Sequence, residues 1–232
     1  MKIQGATALV TGANRGLGRH IAQQLRDRGA TVYAGARNPA SVSLDGVTPV
    51  ALDIADPASA AAAAAAAPGV SILVNNAGIG TGASLLSGEL EDVRREFETN
   101  FFGTLTVTRA FAARLGEHDE SAVLNILSVL SWYSLPALGG YCASKAAEWS
   151  LTNELRQELA GQGTRVAGLH VGYMDTDLAA SITAPKLDPA DVARQAVDGI
   201  ESGAAEILAD ELSVTTRAGL AGGVAALYPD VA

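Results

Sequence analysis

Short apolar runs alternate along this chain with longer stretches in which apolar residues recur at helical spacing. Unbroken apolar runs of about five residues are typical of strands covered on both faces, whereas a repeat of roughly 3.6 residues is typical of a helix with one buried face. The predicted strands are residues 6–10, 31–36, 48–52, 70–74, 122–127, 165–171 and 206–208. The predicted helices are residues 19–28, 57–67, 89–115, 141–159 and 189–199.

Strands that alternate with helices predict right-handed βαβ crossovers, and therefore a parallel sheet with helices on both faces. We expect an α/β fold with a doubly wound parallel sheet of about seven strands, a Rossmann fold. A chain of 232 residues fits one such domain, and no stretch resembles a linker. The sequence therefore predicts a single domain over residues 1–232.

A glycine-rich turn, Thr11-Gly12-Ala13-Asn14-Arg15-Gly16-Leu17-Gly18, connects the first predicted strand to the first helix. Glycine permits the abrupt change of direction and leaves bare backbone where a phosphate comes close. The N-terminus of the helix then offers unpaired N–H groups and a positive dipole end to an anion. Three glycines also occur in ordinary βα turns, but the position directly after the first strand favours a dinucleotide site.

Other polar residues and glycines also follow directly after predicted strands. Asp53 ends the third strand, Asn75-Asn76-Ala77-Gly78 the fourth, Ser128 the fifth and Gly172 the sixth. Because ligands of parallel sheets bind at the carboxyl ends of the strands, we expect all these residues to lie on one rim with the glycine turn.

Composition and charge exclude several classes of function. The formal net charge is -9 and the 16 basic residues are scattered, which disfavours a nucleic-acid partner. No apolar stretch approaches the roughly 20 residues of a membrane helix, and the start of the chain carries no apolar signal segment, so we expect a cytoplasmic protein. The single cysteine, Cys142, permits no intrachain disulfide. His20, His118 and His170 lie far apart, so the sequence predicts no metal site and only structural or solvent-facing histidines.

Tyr141 and Lys145 lie four residues apart at the start of a predicted helix, so their side chains point into the same space. An unperturbed tyrosine has a pKa near ~10, and a nearby ammonium group lowers that pKa, which would let Tyr141 exchange a proton near neutral pH. Alone, this spacing also describes an ordinary helix start with an exposed lysine. Ser128, thirteen residues earlier at the end of a strand, brings a hydroxyl to the same region and favours catalysis.

The motifs at Thr11–Gly18, Asn75–Gly78, Asn100, Ser128, Tyr141 and Lys145 together resemble, in order and spacing, those of the classical short-chain dehydrogenase/reductase (SDR) family, over roughly residues 6–178. The resemblance implies an oxidoreductase that interconverts a carbonyl and a secondary alcohol. It implies that Tyr141 is the general acid/base, that Lys145 lowers its pKa and holds the nicotinamide ribose, that Ser128 orients the substrate, and that Asn100 anchors a water relay. The implied cofactor-binding residues are Gly12, Asn14, Arg15, Gly16, Leu17, Gly18, Arg37, Asp53, Ile54, Asn76, Ala77, Gly78, Tyr141, Lys145, Gly172, Met174 and Thr176.

The second predicted strand ends in Arg37 rather than in the acidic residue that would bind a ribose 2'-hydroxyl. A guanidinium can pair with a 2'-phosphate through two hydrogen bonds, and Arg15 in the glycine turn adds a second cation. The sequence therefore predicts a preference for NADP(H) over NAD(H). By resemblance, Asp53 contacts the adenine amine instead.

Alternatives and departures from the family pattern also belong to the prediction. Sugar epimerases and enoyl reductases of this fold carry differently spaced motifs and fit worse, while a non-catalytic NADP(H)-binding redox sensor stays open as an alternative. Val171 replaces the usual Pro before Gly172, and the substrate lid, around residues 177–190, is short and apolar. Trp132, Tyr133, Leu135, Leu138 and Tyr173 either line an apolar substrate pocket or pack locally. By resemblance we expect a homodimer or homotetramer, although residues 213–232 depart from the ending typical of tetrameric members.

Overall fold

The computed structural model describes residues 1–230, so Val231 and Ala232, at the end of the predicted domain, lie outside the described residues. Within that range the strands form one seven-stranded parallel sheet in the order β3-β2-β1-β4-β5-β6-β7. The strands are β1 (Thr7–Thr11), β2 (Thr31–Ala36), β3 (Thr48–Ala51), β4 (Ile72–Asn75), β5 (Ser121–Ile126), β6 (Thr164–His170) and β7 (Glu206–Leu208). The predicted single-domain Rossmann fold is confirmed.

Helices cover both faces of the sheet. The helices are α1 (Gly16–Asp27), α2 (Pro57–Ala66), α3 (Leu90–Phe97), α4 (Thr104–Leu115), α5 (Gly139–Glu158), α6 (Pro189–Ser202), α7 (Glu211–Gly219) and α8 (Gly223–Leu227). On one face α1 and α6 bury Ile21, Leu25 and Val197 against the strands. On the other, α2, α4 and α5 bury residues such as Phe111 and Leu155. The strands are therefore apolar on both sides, which is why their sequences read as unbroken apolar runs.

The helix predicted over residues 89–115 is confirmed as one unbroken helical run, Leu90 to Leu115, but it contains a turn that the sequence did not predict. α3 passes through a π-helical turn, Glu98–Gly103, before α4 begins. Inside the turn, Asn100 is fully buried and bonds to the backbone of Ile79 in the loop after β4. A π-helical turn widens the backbone locally and often marks a functional position. The apolar periodicity persists through this turn, so the sequence pattern alone did not show it.

Two other observed helix starts differ from the predicted ones by two or three residues. α1 begins at Gly16, inside the glycine turn, rather than at residue 19, and α5 begins at Gly139, which places Tyr141 in its first turn. α7 and α8 were not predicted, because residues 211–227 carry no strong apolar repeat. At the end of this segment, Tyr228 Oη accepts a hydrogen bond of 2.7 Å from the backbone N–H of Ser134, so the C-terminal part folds back over the loop that follows Ser128.

The strand order reverses between β1 and β4, and this reversal opens a crevice at their carboxyl ends. The hydroxyl of Thr11, the last residue of β1, accepts hydrogen bonds of 2.9 Å from the backbone N–H groups of both Asn76 and Ala77. These two bonds fix the glycine turn against the loop after β4. The crevice is the place where the predicted cofactor residues meet.

Candidate active site

The glycine turn is held in a shape that only glycine accommodates. Gly12 and Gly16 have φ of +64° and +53°, in the left-handed region. A Cβ on Gly18 would lie 2.5 Å from the carbonyl oxygen of Gly12 and would also collide with the Asn76 amide. That amide is needed in place, because Asn76 Nδ2 donates to the carbonyl oxygen of Thr11 at 2.9 Å.

The N-terminus of α1 fits an anion. Its N-cap residue is Arg15, whose side chain makes no capping hydrogen bond, and the first turn contains no acidic residue. The leading N–H groups of the helix therefore have no acceptor from a capping side chain, and an anionic pyrophosphate is suited to that place. Leu17 is buried beneath the turn, while Asn14 and Gly16 are partly accessible at its surface.

Arg37 and Asp53 lie at the ends of neighbouring strands, since β2 and β3 pair through Ala36 and Ala51. Arg37 is exposed, and within residues 1–230 its guanidinium makes no hydrogen bond or ion pair. Asp53 is partly buried, and its Oδ1 accepts a bond of 3.1 Å from the backbone N–H of Ala55; the neighbouring Ile54 is buried. These residues form the outer edge of the crevice.

Arg15 differs from Arg37 because it already has a partner. Its Nη1 lies 2.9 Å from Asp177 Oδ2, and both side chains are largely exposed. Thr176 lies beside the same turn, since a Cβ on Gly16 would lie 3.5 Å from Thr176 Cγ2. The segment after β6 therefore approaches the glycine turn from across the crevice.

Residues 173–187 form a loop whose two ends are joined. Met174 and Leu187 form a β-bridge, and the backbone N–H of Asp175 donates to Leu187 O at 2.9 Å. At the base of the loop, the N–H of Gly172 donates to Asp210 Oδ2 at 2.7 Å. The sequence reasoning missed Asp210, which also caps α7. The last two residues of the predicted lid, 189 and 190, are the first two residues of α6.

Ser128, Tyr141 and Lys145 meet at the carboxyl end of β5. Lys145 Nζ lies 6.0 Å from the centroid of the Tyr141 ring, as the helical spacing predicted. The side chain of Ser128 caps a short turn, Val129–Ser131, because its hydroxyl accepts a bond of 3.1 Å from the N–H of Leu130. The same hydroxyl lies close enough to the Tyr141 phenol to lower its pKa.

The pKa of Tyr141 lies above the ordinary tyrosine value, because burial disfavours the phenolate most strongly. Lys145 and the Ser128 hydroxyl lower this pKa, whereas Glu148 and Cys142 raise it. The expected effect of Lys145 is therefore present, but it does not bring the pKa of Tyr141 below its usual range in the protein alone. That part of the sequence prediction is corrected by the burial of the ring.

Lys145 is itself buried and bonded. Its Nζ donates to Ile126 O at 2.9 Å and to Glu148 Oε2 at 2.6 Å. Burial lowers the pKa of Lys145, but the adjacent carboxylate outweighs burial and leaves that pKa above its ordinary value. The sequence reasoning missed Glu148. Its position three residues after Lys145 on the same helix was the available signal.

Asn100 connects three parts of the site with one side chain. Its amide donates to Ile79 O and to Ser144 Oγ, and its oxygen accepts from the N–H of Ile79, each at 2.9 Å. Ser144 Oγ donates in turn to the carbonyl oxygen of Tyr141. Asn100 thus holds the loop after β4 against the first turn of α5, with Gly78 packed beside its amide oxygen.

Trp132 does not line an accessible pocket. Its ring is 8% exposed, stacks on His170 with the ring centroids 3.7 Å apart, and packs edge-on against Trp149. His170 Nδ1 lies 3.2 Å from the carbonyl oxygen of Ser128. Burial lowers the pKa of His170 to about 4. The alternative of local packing is therefore correct for Trp132, and the structural role expected for His170 is to support the loop that carries Ser128.

Within residues 1–230, no group of three or more His, Cys, Asp or Glu side chains is arranged to hold a metal ion. In the same range, no helix has the length and apolar character needed to cross a membrane.

The chain is similar to proteins that are already known. The family model described as short chain dehydrogenase matches residues 6–187. Over 188 residues the chain is 30% identical to the 3-oxoacyl-(acyl-carrier-protein) reductase FabG of Vibrio cholerae, and the match covers 77% of each protein. A short chain dehydrogenase from Burkholderia cenocepacia, solved in complex with NADP, is 36% identical with a TM-score of 0.94, over 99% of this chain and 98% of that one. A 3-ketoacyl-(acyl-carrier-protein) reductase from Brucella melitensis, solved with NADH, is 28% identical with a TM-score of 0.83, over 90% of this chain and 99% of that one.

The matched region extends from the start of β1 to the end of the loop after β6, and so includes the glycine turn, Ser128, Tyr141 and Lys145. The two similar structures carry different nicotinamide cofactors, so the likeness supports a nicotinamide cofactor without deciding between NADP(H) and NAD(H). The chain belongs to the short-chain dehydrogenase family, oxidoreductases that act on CH–OH and C=O groups.

Proposed function

We propose that this protein interconverts a carbonyl and a secondary alcohol by hydride transfer with NADP(H), and that Tyr141 is its general acid/base. When bound, the nicotinamide supplies or accepts the hydride, and the protein supplies position and the proton. The observation that carries this proposal is the meeting of Ser128, Tyr141 and Lys145 at the edge of the sheet that also carries the glycine turn.

In this proposal each side chain has a separate task. Tyr141 gives its proton to the carbonyl oxygen during reduction and takes it back during oxidation. Ser128 donates a hydrogen bond to the same oxygen and so orients the substrate. Lys145 donates two of its three ammonium N–H groups to other residues of the protein, and it holds a ribose hydroxyl with the third. Asn100 acts through its bonds to Ile79 and Ser144, and positions the residues around it.

The preference for NADP(H) over NAD(H) rests on Arg37. Its guanidinium is exposed at the end of β2 beside the crevice, and it has no competing carboxylate partner within residues 1–230. Asp53 and Ile54 lie one strand further out, where we propose that they contact the adenine. The remaining proposed cofactor contacts are those of the glycine turn, of Asn76, Ala77 and Gly78, and of Gly172, Met174 and Thr176.

We also propose that residues 177–190 act as a lid over an apolar substrate. Leu178 in this segment is 57% exposed and lies near Gly80, which itself packs against Tyr141. Leu85 and Leu86 in the loop after β4 are 60% and 101% exposed, and Leu85 lies beside Gly139 at the start of α5. Exposed leucines around a site favour a ligand with an apolar body.

The decisive experiment is a screen of ketones, aldehydes and secondary alcohols with NADPH or NADP+ turnover as the readout, repeated on Tyr141→Phe. This variant keeps the ring but loses the proton donor, so we expect a loss of turnover of roughly 10²–10⁴-fold with cofactor affinity retained. Tyr33→Phe, in β2 away from Ser128, is the matched control. Full activity of Tyr141→Phe would remove Tyr141 from its role, and NADPH binding without turnover of any substrate would support the redox-sensor alternative.

A further inference from the structure

A carboxylate that the proposed reaction does not use lies behind Tyr141. The side chains of Glu148 and Lys145 are 2% and 6% exposed, and Glu148 Oε2 lies 2.6 Å from Lys145 Nζ. The other oxygen, Oε1, accepts a bond of 3.2 Å from Thr104 Oγ1 on α4. Both oxygens therefore have a partner, as a buried carboxylate requires. Burial raises the pKa of Glu148, and the interactions with Lys145 and Thr104 act against that rise.

The bonds of Lys145 limit what it can offer to a ligand. An ammonium group has three N–H donors, and two of those on Lys145 point to Ile126 O and Glu148 Oε2. The remaining donor faces Gly78 and the Tyr141 ring; a Cβ on Gly78 would lie 3.7 Å from Nζ. Glu148 thus fixes the direction in which Lys145 points.

Glu148 also opposes the charge of Lys145. A single ammonium 6.0 Å from the Tyr141 ring favours the phenolate. When a carboxylate is paired with that ammonium, the two charges form a dipole, and the electric field of a dipole at the phenol is much weaker than that of the ammonium alone. The other titratable groups near Tyr141 are Cys142 on α5 and Glu96 on α3, which contacts Gly140, and Ser128 approaches from the loop after β5. Lys145 is the cation among them, so Glu148, which compensates the charge of Lys145, also acts on the phenol of Tyr141.

We propose that Glu148 is a positioning residue that holds Lys145 and sets the charge that Lys145 presents to Tyr141, and that it thereby sets the pH at which the reaction runs. This inference rests on the proposed role of Tyr141. Because it concerns only side chains of this protein, the effect of Glu148 on Tyr141 can be measured both during turnover and in the protein alone.

The first test is Glu148→Gln, which keeps the shape of the side chain and removes its charge. Because Lys145 then acts uncompensated, we expect the pH at which kcat/KM for alcohol oxidation rises to move down by about one pH unit. The matched control is Glu154→Gln, an exposed glutamate on the same helix, which should leave the profile in place. A folded Glu148→Gln variant with an unshifted or upward-shifted profile would overturn the proposal, since a purely structural role would change the rate without moving the pH profile.

The second test needs no cofactor or substrate. Phenolate absorbance is recorded within milliseconds of a jump to alkaline pH, and the same measurement on Tyr141→Phe in each background isolates Tyr141. Glu148→Gln should again lower the pKa of Tyr141 by about one unit. If the wild-type protein turns over no carbonyl compound, the proposed function fails, but this titration still decides the role of Glu148.

An unpaired buried lysine can prevent folding, so a third variant removes both charges. In Lys145→Met/Glu148→Gln neither side chain of the pair carries a charge, and the pKa of Tyr141 should stay within about half a unit of its wild-type value because the charges of the native pair largely cancel each other. A rise of about one unit or more would mean that Lys145 acts on Tyr141 with its full charge in the native protein, and would overturn the proposal.

Discussion

At the residue scale, two arginines beside the glycine turn have different surroundings. Arg15 is paired with Asp177, so its charge is already compensated when nothing else is bound. Arg37 is exposed without such a partner in the part of the chain that the structure describes. From the sequence, both arginines are candidates to pair with the 2'-phosphate. They are distinguished only by the position of Asp177, which the fold brings next to Arg15. Arg37 is therefore the stronger candidate for reading a 2'-phosphate.

Arg37→Asp should weaken NADP(H) binding and relatively favour NAD(H), because repulsion of the 2'-phosphate replaces its pairing. Removing a charge-assisted pair and adding a like charge should lower NADPH affinity by at least about tenfold. Titration of both cofactors against the wild type and this variant measures the change. Arg165→Asp, an exposed arginine in β6 on the other side of the sheet's centre, is the control. Equal wild-type affinities for the two cofactors would contradict the prediction.

The lowered pKa of His170 predicts that the stability of the folded protein decreases at acidic pH. Its pKa in the folded protein is about 4, below the value of about 6.5 for an unfolded chain, so the unfolded state binds the proton more readily. Neutral His170 makes its full contribution to the free energy of unfolding above pH ~6.5. This contribution is lost as the pH falls toward ~4, so the free energy of unfolding is lower by about 2–3 kcal/mol at pH ~4.5. The cause is the burial of the ring against Trp132, which outweighs the opposite effects of the Ser128 carbonyl and of Glu206 on this pKa.

Denaturant unfolding at pH 7 and pH 4.5 tests this prediction. His170→Phe keeps an aromatic ring against Trp132 but cannot titrate, so its free energy of unfolding should fall less between the two pH values than that of the wild type. The comparison removes the contribution of the acidic residues, which both proteins share. His20→Gln, at a partly exposed histidine, is the control. An equal fall in wild type and His170→Phe would show that His170 is not the group responsible.

At the element scale, the connection between β1 and α1 depends on the absence of a side chain at Gly18. A Cβ there would meet the Gly12 carbonyl and the Asn76 amide, and backbone cannot move aside as a flexible side chain does. The π-helical turn within the α3–α4 helix has a similar origin, because the contact between Asn100 and Ile79 joins residues 21 positions apart. Both features depend on the loop after β4.

Gly18→Ala should therefore lower the free energy of unfolding by about 1–3 kcal/mol, as for an overpacked interior, and should weaken cofactor binding because the turn must shift. Gly161→Ala is the matched control: a Cβ there meets nothing within 4 Å, and the residue lies outside the crevice. Equilibrium denaturation and NADPH titration of both variants measure the two effects. A Gly18→Ala protein with native stability would show that the turn does not require glycine at this position.

At the scale of the whole molecule, α4 and α5 leave a groove on the outer surface of the domain. It has a volume of about 400 Å³ and is lined by Leu105, Thr108, Arg109, Ala112, Leu155, Glu158 and Leu159. Arg109 and Glu158 bring opposite charges to a surface that is otherwise largely apolar. A twofold-symmetric interface is self-complementary, so a surface that carries both charges can pair with a second copy of itself.

We therefore predict a homodimer through this groove, or a homotetramer that contains the same interface. Ala112→Arg places a large cation in the groove and should convert the assembly to monomers. Light scattering at micromolar concentration measures the mass, and Ala62→Arg, on an exposed face of α2, is the control. A wild-type protein that is monomeric under these conditions would contradict the prediction.

The sequence by itself determined the order of the elements, the parallel sheet and the positions of Ser128, Tyr141 and Lys145. These features follow from local periodicity and turn chemistry, which a short stretch of chain carries within itself. The alanine-rich helix α2 is an example: Asp56 caps it and Pro57 begins it, as their types predict. Tyr141 and Lys145 share a helix face for the same reason.

Only the tertiary structure decided the features that depend on burial or on distant parts of the chain. A glutamate three residues after a lysine is an ordinary surface pattern until packing against α4 buries both, and then Glu148 becomes the counter-ion of Lys145. The pKa of Tyr141 depends in the same way on how far the fold excludes water from the ring. The strength of an ion pair, the pKa of a side chain and the distortion of a helix depend on residues that are distant in sequence and close in the fold. The chemistry of the site therefore depends on contacts that the sequence alone does not predict.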